Sequence, residues 1–331
     1  MATQLNLTDS IGFEAMSSLA QEFKLQFEKT SLVLDESLTG RKFIFNRDGR
    51  ESYPFEEWGE GAGGIIEEII PMESDTTVAS TDSSCILLGD TSDGSAYAVR
   101  GAIVFASGGS IEGYLRIGPI FVYLSPKGVF GLHSPLSPYE LRISLSDHQI
   151  AERTIRNSME RKVIGSLLIS SGEKIVMADG SLKHPMGGLL GFTPRLGNPS
   201  TALIGFSKSS SLVSSSGITS SVSRARAASF GTVDDGPVKT ILAKFSSEGL
   251  VFRLDILNRN EKTADVLGKL SWNDSFAVGY PESLRLAHHL SVFTRSEDAA
   301  MKAYLTKRYS LRRLPTFGLR RMTLGSFGAA R

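Results

Sequence analysis

Two carboxylates stand directly behind strand-length apolar runs. Asp90 closes Ile86-Leu87-Leu88-Gly89, and Asp179 closes Ile175-Val176-Met177-Ala178. An acid in that position lands at one edge of a sheet, where α/β sites gather. Each acid also fits an ordinary turn, since Asp179-Gly180 needs nothing further to explain it. Glu160 falls within a helical pattern from about Ser146 to Ile169. It lies four residues before Ile164 and seven before Leu167, so it shares their apolar face. A carboxylate there is costly to desolvate unless it is paired or metal-bound. Arg156, four residues back, is the alternative partner, and snorkelling at the stripe edge is another reading. Three carboxylates from two strand ends and one helix would form an oxygen-rich set suited to Mg²⁺ or Mn²⁺. Two such ions suit phosphodiester cleavage by a metal-activated water. Lys208, just past the run Ala202–Phe206, could neutralise a phosphate or be a plain loop lysine. His288 shares a helix face with Leu284 and Val292, and its neighbour His289 leaves open which ring is functional.

Other chemistries lack their residues. The 331 residues contain no P-loop, no G-x-S-x-G nucleophile elbow, no H-E-x-x-H and no strand-linked G-x-G-x-x-G. The single Cys85 excludes a disulfide framework and a multi-Cys zinc site, and it fits a reducing compartment. With 36 Lys+Arg against 35 Asp+Glu, a uniformly basic coat for nucleic acid is excluded. The charge is nevertheless segregated. Residues 51–75 hold eight acids and no base, whereas 301–331 hold eight bases and no acid. No stretch reaches the roughly 18–20 apolar residues of a membrane span, and the N-terminus lacks a signal-peptide pattern. A soluble cytoplasmic protein is expected.

The elements that would position these residues follow from pattern. Residues 1–80 read as an N-terminal extension, helical over about Ile11–Glu28 and then acidic and Gly-rich at 59–64. From Ser84, the runs 85–92, Ser95–Ala106 and Tyr114–Leu124 read as a three-stranded meander, with Asp93-Gly94 as a hairpin signal. Asp147 can cap the long helix, and Ser-Ser-Gly at 170–172 ends it. Lys174–Ala178, Ala202–Phe206, Lys239–Phe245, Leu250–Leu257 and Val266–Trp272 read as strands. Ten serines in residues 207–223 predict a flexible surface loop, part of a Ser-rich insertion at 207–230. Pro281 opens a closing helix to about Tyr304. The order β-β-β, helix, β, further strands and a helix predicts a mixed α/β sheet.

Taken in order, ILLGDTS, Arg156-x-x-x-Glu160, IVMADGSL, IGFSKSS and VGYPESLRLAHHL resemble blocks of the NurA family of DNA-end-processing nucleases. The resemblance covers roughly residues 84–300, and the Gly-Tyr-Pro followed by a helical Ala-His is its most specific part. It implies an RNase H-like core flanked by helices and preceded by a helical extension, in a homodimer working with a hexameric HerA ATPase. It implies Mn²⁺-dependent cutting of single-stranded DNA internally and of DNA from 5′ ends, during double-strand-break end resection. Carried over, Asp90, Glu160 and Asp179 would be metal ligands, with Tyr280 and His288 completing the site by orienting water or phosphate and His288 available as a further ligand. Lys208 would bind substrate. The family's first acid usually stands in Asp-Gly-Ser. Here Asp90-Thr91-Ser92 comes first and Asp93-Gly94-Ser95 follows. Asp90 is preferred because it extends the apolar run, while Asp93-Gly94 suits the turn. A catalytically inactive DNA-guiding subunit and a metal-dependent phosphatase or nucleotidase are the alternative readings.

Overall fold

The computed structural model describes residues 21–22, 24–25, 29, 42–43, 65–132, 136–170, 172–183, 200–208, 217–259 and 261–313. In chain order, Lys42–Phe43 is β1, Ile66–Glu68 β2, Thr77–Thr91 β3, Gly94–Ser107 β4, Ser110–Ser125 β5 and Gly128–Phe130 β6. Pro138–Ser146 (α1) and His148–Ile169 (α2) lead into Lys174–Asp179 (β7) and Ala202–Ser207 (β8). Gly217–Arg224 (α3), Ser229–Asp235 (β9), Lys239–Lys244 (β10), Phe252–Leu257 (β11) and Thr263–Asn273 (α4) follow. The described chain closes with Phe276–Ala277 (β12), Tyr280–Pro281 (β13), Glu282–Ser291 (α5), Arg295–Arg308 (α6) and Arg312–Arg313 (β14).

Among the described residues, ten strands form one sheet in the order β2-β9-β10-β11-β8-β7-β3-β4-β5-β6. Strands β3, β4 and β5 make an antiparallel meander, and β7 then β8 add in parallel beside β3. This is the mixed α/β sheet flanked by helices that the order of elements in the sequence predicts. The meander holds because β4 and β5 are rich in β-branched and aromatic residues, bounded by tight turns. Its first turn is Ser92-Asp93, with Thr91 paired to Gly94, one residue earlier than the Asp93-Gly94 signal suggests. Glycine is needed at 94 because a Cβ there would lie 2.4 Å from the Leu124 carbonyl oxygen.

Helix α2 covers one face of this sheet. Asp147 caps it by accepting from the Gln149 and Ile150 amides, as expected, and its stripe Ala151, Ile155, Met159, Val163, Ile164, Leu167 and Leu168 is buried. Each large aliphatic side chain so buried contributes about 1.5–3 kcal/mol. The opposite face packs Val78, Ile175, Met177, Ile204 and Phe206 against Val266, Leu267 and Leu270 of α4 and Leu284 of α5. The two faces thus belong to different helices, and strand residues of alternating parity look toward different helices.

Four expectations change. The first strand begins at Thr77, seven residues before the expected Ser84, because a meander partner as long as β4 needs an equally long β3. Val266–Trp272 is helical, since Val266, Leu267 and Leu270 recur at helical spacing and are buried together. The closing helix is two helices. Val292 ends α5, and the Thr294–Glu297 capping box starts α6. Within the Ser-rich stretch, residues 217–224 fold as α3, with Ile218 and Val222, four apart, buried against Leu242. The Gly-rich acidic run at 59–64, most of the Ile11–Glu28 pattern, residues 209–216 and the basic residues beyond Arg313 lie outside the described residues.

Candidate metal centre

The parallel register of β3 and β7 sets the site. Thr81 pairs with Ala178, so the next residues, Asp82 and Asp179, come side by side on the face covered by α5. The same parity puts Ser80 under α5, where its hydroxyl lies 2.5 Å from that of Ser283. Asp82 Oδ2 is 2.8 Å from His288 Nδ1 and accepts from Ser291 Oγ at 3.0 Å, both from α5. Ligand atoms of Asp82, Asp179 and His288 all lie within 4.8 Å of one another. Two carboxylates and an imidazole at this spacing match the donor preferences of a divalent cation that accepts both oxygen and nitrogen.

The surroundings tune each group. Lys208, one residue past β8, donates to Asp179 Oδ2 at 2.7 Å. Burial raises the Asp179 pKa, and the Lys208 hydrogen bond and charge oppose that rise. The His288 pKa is raised chiefly by its hydrogen bond to Asp82, against a smaller effect of burial. With Nδ1 engaged by Asp82, Nε2 is the ring atom left to serve a ligand.

Tyr280 packs edge-on against Phe206, with centroids 5.2 Å apart, and Lys208 Nζ lies 5.3 Å from its ring centroid. Burial, followed by the charges of Asp179 and Asp82, pushes its phenol pKa upward, so the hydroxyl keeps its proton. That hydroxyl is buried and has no hydrogen-bond partner among the described residues. An unmet donor beside two carboxylates and an imidazole fits a site built for an additional polar group or ion.

Glu160 approaches from the other face. It accepts from Ser83 Oγ at 2.5 Å, and Ser83 follows Asp82 on β3 with opposite parity. Burial raises its pKa to about 7. The Arg156 charge opposes this rise, and Asp82 and Asp179 add to it. Glu160 therefore feels both acids across the strand edge without joining the trio.

The structure brings Asp179, Lys208, Tyr280 and His288 together, with Glu160 behind them. Asp90 is not among them. It lies eight residues along β3 from Asp82, roughly 26 Å at strand rise. There it accepts from Ser95 Oγ at 2.6 Å and approaches His148 Nε2 at 3.5 Å. Asp93 sits in the hairpin turn and accepts from Tyr123. Asp82 is the acid that stands beside Asp179 instead. The polar run Thr81-Asp82-Ser83-Ser84 hid it, because the strand signal begins only at Cys85. The available signal was hairpin symmetry: twelve strand residues after the turn require a similar number before it, and that count reaches Asp82.

A buried group sequence reasoning passed over steers the helix that carries His288. Asp274, 3% exposed, accepts from the Ser275 and Ser283 amides and from Ser283 Oγ. It satisfies the start of α5, whose N-cap Pro281 makes no side-chain cap bond. Burial raises its pKa to about 6.

No family model and no curated protein matches the chain. Among solved structures, the chain is similar to the NurA nuclease from Sulfolobus solfataricus, at 14% identity and a TM-score of 0.46, over 90% of this chain and 94% of that one. It is also similar to a second NurA structure, at 10% identity and a TM-score of 0.41, over 73% and 91% of the two chains. The catalytic domain of human Endonuclease V is similar at 12% identity and a TM-score of 0.33, over 88% and 99%.

Proposed function

We propose that the chain is a divalent-metal-dependent deoxyribonuclease, in which Asp82, Asp179 and His288 hold the cation and Glu160 supports them from the opposite sheet face. The observation that carries this reading is the β3–β7 register, which sets two carboxylates beside each other and against a histidine within 4.8 Å. A bound divalent cation supplies charge to phosphoryl oxygens and lowers the pKa of an attacking water.

The protein's own groups supply the rest. Lys208 holds Asp179 until that carboxylate engages a ligand, and its ammonium then pairs a phosphate oxygen. Tyr280 donates its unpartnered hydroxyl to a phosphate oxygen or water. His288, oriented by Asp82 through Nδ1, offers Nε2 to the cation or to the reacting phosphate. Asp90 has no part in this set.

The motif resemblance extends the proposal to Mn²⁺ as the preferred ion and to internal cutting of single strands together with 5′-to-3′ digestion of ends. It further extends to a homodimer resecting double-strand breaks with a HerA-type hexameric ATPase. These 331 residues carry no P-loop, so in this reading they are not themselves the motor. No helix among the described residues is long and apolar enough to cross a membrane.

The test is a cleavage assay on end-labelled single- and double-stranded DNA with Mn²⁺, Mg²⁺ or EDTA, with and without the ATPase. Mn²⁺-dependent cleavage abolished by EDTA is expected. DNA binding with no cleavage under any divalent ion would instead indicate a guiding subunit. Hydrolysis of small phosphate esters with no action on DNA would indicate a phosphatase or nucleotidase.

A further inference from the structure

The β12–β13 hairpin joins Ala277 to Tyr280 through Val278 and Gly279. Both central residues have positive φ, +55° and +85°, as in a type I′ turn. Glycine suits position 279, because L side chains rarely adopt its φ of +85°. Valine at 278 is a different matter. Turns of this type favour Asn, Asp or Gly at that position, and a β-branched residue at positive φ is an outlier. Burial does not compensate, since the Val278 side chain is 68% exposed. Beside it, Leu250 is 60% exposed and donates its amide to the Val278 carbonyl at 3.3 Å. Two neighbouring aliphatic side chains therefore stand in water at fixed positions, one of them in a backbone conformation that suits a polar residue better.

Their location gives them a use. Val278 is two residues from Tyr280, whose phenol senses Asp179 and Asp82 and whose ring lies under Lys208. Leu250 is likewise two residues from Phe252, whose ring centroid lies 5.7 Å from that of Tyr280, so both side chains stand on segments that hold Tyr280. A nucleic-acid strand whose phosphate sits at the proposed metal centre carries its flanking bases past this apolar lip. A paired base keeps its faces stacked in the duplex, whereas an unpaired base presents an apolar face.

We propose that Val278 and Leu250 form a subsite for the unpaired base that flanks the phosphate bound at Asp82, Asp179 and His288. This rests on the nuclease reading and adds to it a base contact that discriminates unpaired from paired nucleotides beside the cut.

The experiment uses a fluorescein-labelled single-stranded oligonucleotide, bound by the full chain with Ca²⁺ in place of Mn²⁺ under conditions where no cleavage is detected, with one abasic site moved along its length. Wild type should lose affinity by about fivefold or more at one position, in line with apolar surface on Val278 and Leu250 left uncovered. Val278→Asn and Leu250→Ser should bind the intact strand correspondingly more weakly and be indifferent to that abasic site. Val278→Asn should melt no lower than wild type, because Asn accepts positive φ; this control separates a lost contact from a damaged fold. Wild-type affinity and an unchanged abasic profile in both variants would overturn the subsite, leaving the lip to a protein partner and the nuclease reading intact. If wild-type protein neither binds nor cuts DNA, the nuclease reading falls first and the subsite with it.

Discussion

Glu160 shows how one buried carboxyl couples the site to pH. Burial disfavours its charged form and raises its pKa from the ordinary 4.5 to about 7 in the folded chain. Between those values the folded chain keeps a proton that the unfolded chain has lost. Stability is thus fully present below about pH 4.5 and is lost as pH rises toward about 7. The span corresponds to about 3 kcal/mol. Asp274, raised to about 6, and Asp179, raised by burial, act with the same sign. In EDTA, the melting temperature of wild type should therefore fall from pH 4.5 to 7, and Glu160→Gln should flatten part of that fall. A wild-type pH slope in Glu160→Gln would mean that Glu160 is ionised in the folded chain. Sequence legibility differs among these residues. Glu160 was visible because a charged residue on an apolar stripe breaks a pattern. Asp274 was hidden, because its role depends on Ser283 and Ser80, nine residues onward and on another strand.

At the scale of elements, the site depends on α5 being held over the first half of β3. Ser283 and Ser291 from α5 touch Ser80 and Asp82 respectively, and Asp274 closes the start of the helix. Asp274→Ala should cost about 1–3 kcal/mol, read by urea unfolding, because two amides and a hydroxyl lose their acceptor. It should also weaken metal binding by releasing His288. Unaltered Mn²⁺ affinity in this variant would show that α5 is held mainly by Leu284 and Ala287 in the core. The elements most legible in the sequence are those with clean periodicity: β4, β5, β7, β8 and α2. The less legible ones fail for stated reasons. The lower half of β3 is built from Thr, Ser and Asp that are buried by its two neighbours rather than by apolar character. Helix α4 carries its apolar residues in a seven-residue window that fits strand and helix alike.

For the whole molecule, the near-cancellation of charge conceals a local division. Acids gather where β7 ends beside the middle of β3, with Lys208 next to them, so a net charge of +1 is compatible with a nucleic-acid enzyme. A cation that binds only the folded chain should stabilise it, by about 2.7 kcal/mol at a hundred times its dissociation constant. Mn²⁺ should accordingly raise the melting temperature of wild type and of Asp90→Ala, but not of Asp179→Ala. An equal rise in Asp179→Ala would place the ion elsewhere. The most direct test sets the two first-acid candidates against each other. Mn²⁺-dependent cleavage of an end-labelled single strand is measured for Asp82→Ala and Asp90→Ala under identical conditions. Loss of at least about a hundredfold in Asp82→Ala, with near wild-type cleavage in Asp90→Ala, is the expected result. Robust cleavage by Asp82→Ala, or loss confined to Asp90→Ala, would contradict the assignment of the metal centre to Asp82, Asp179 and His288.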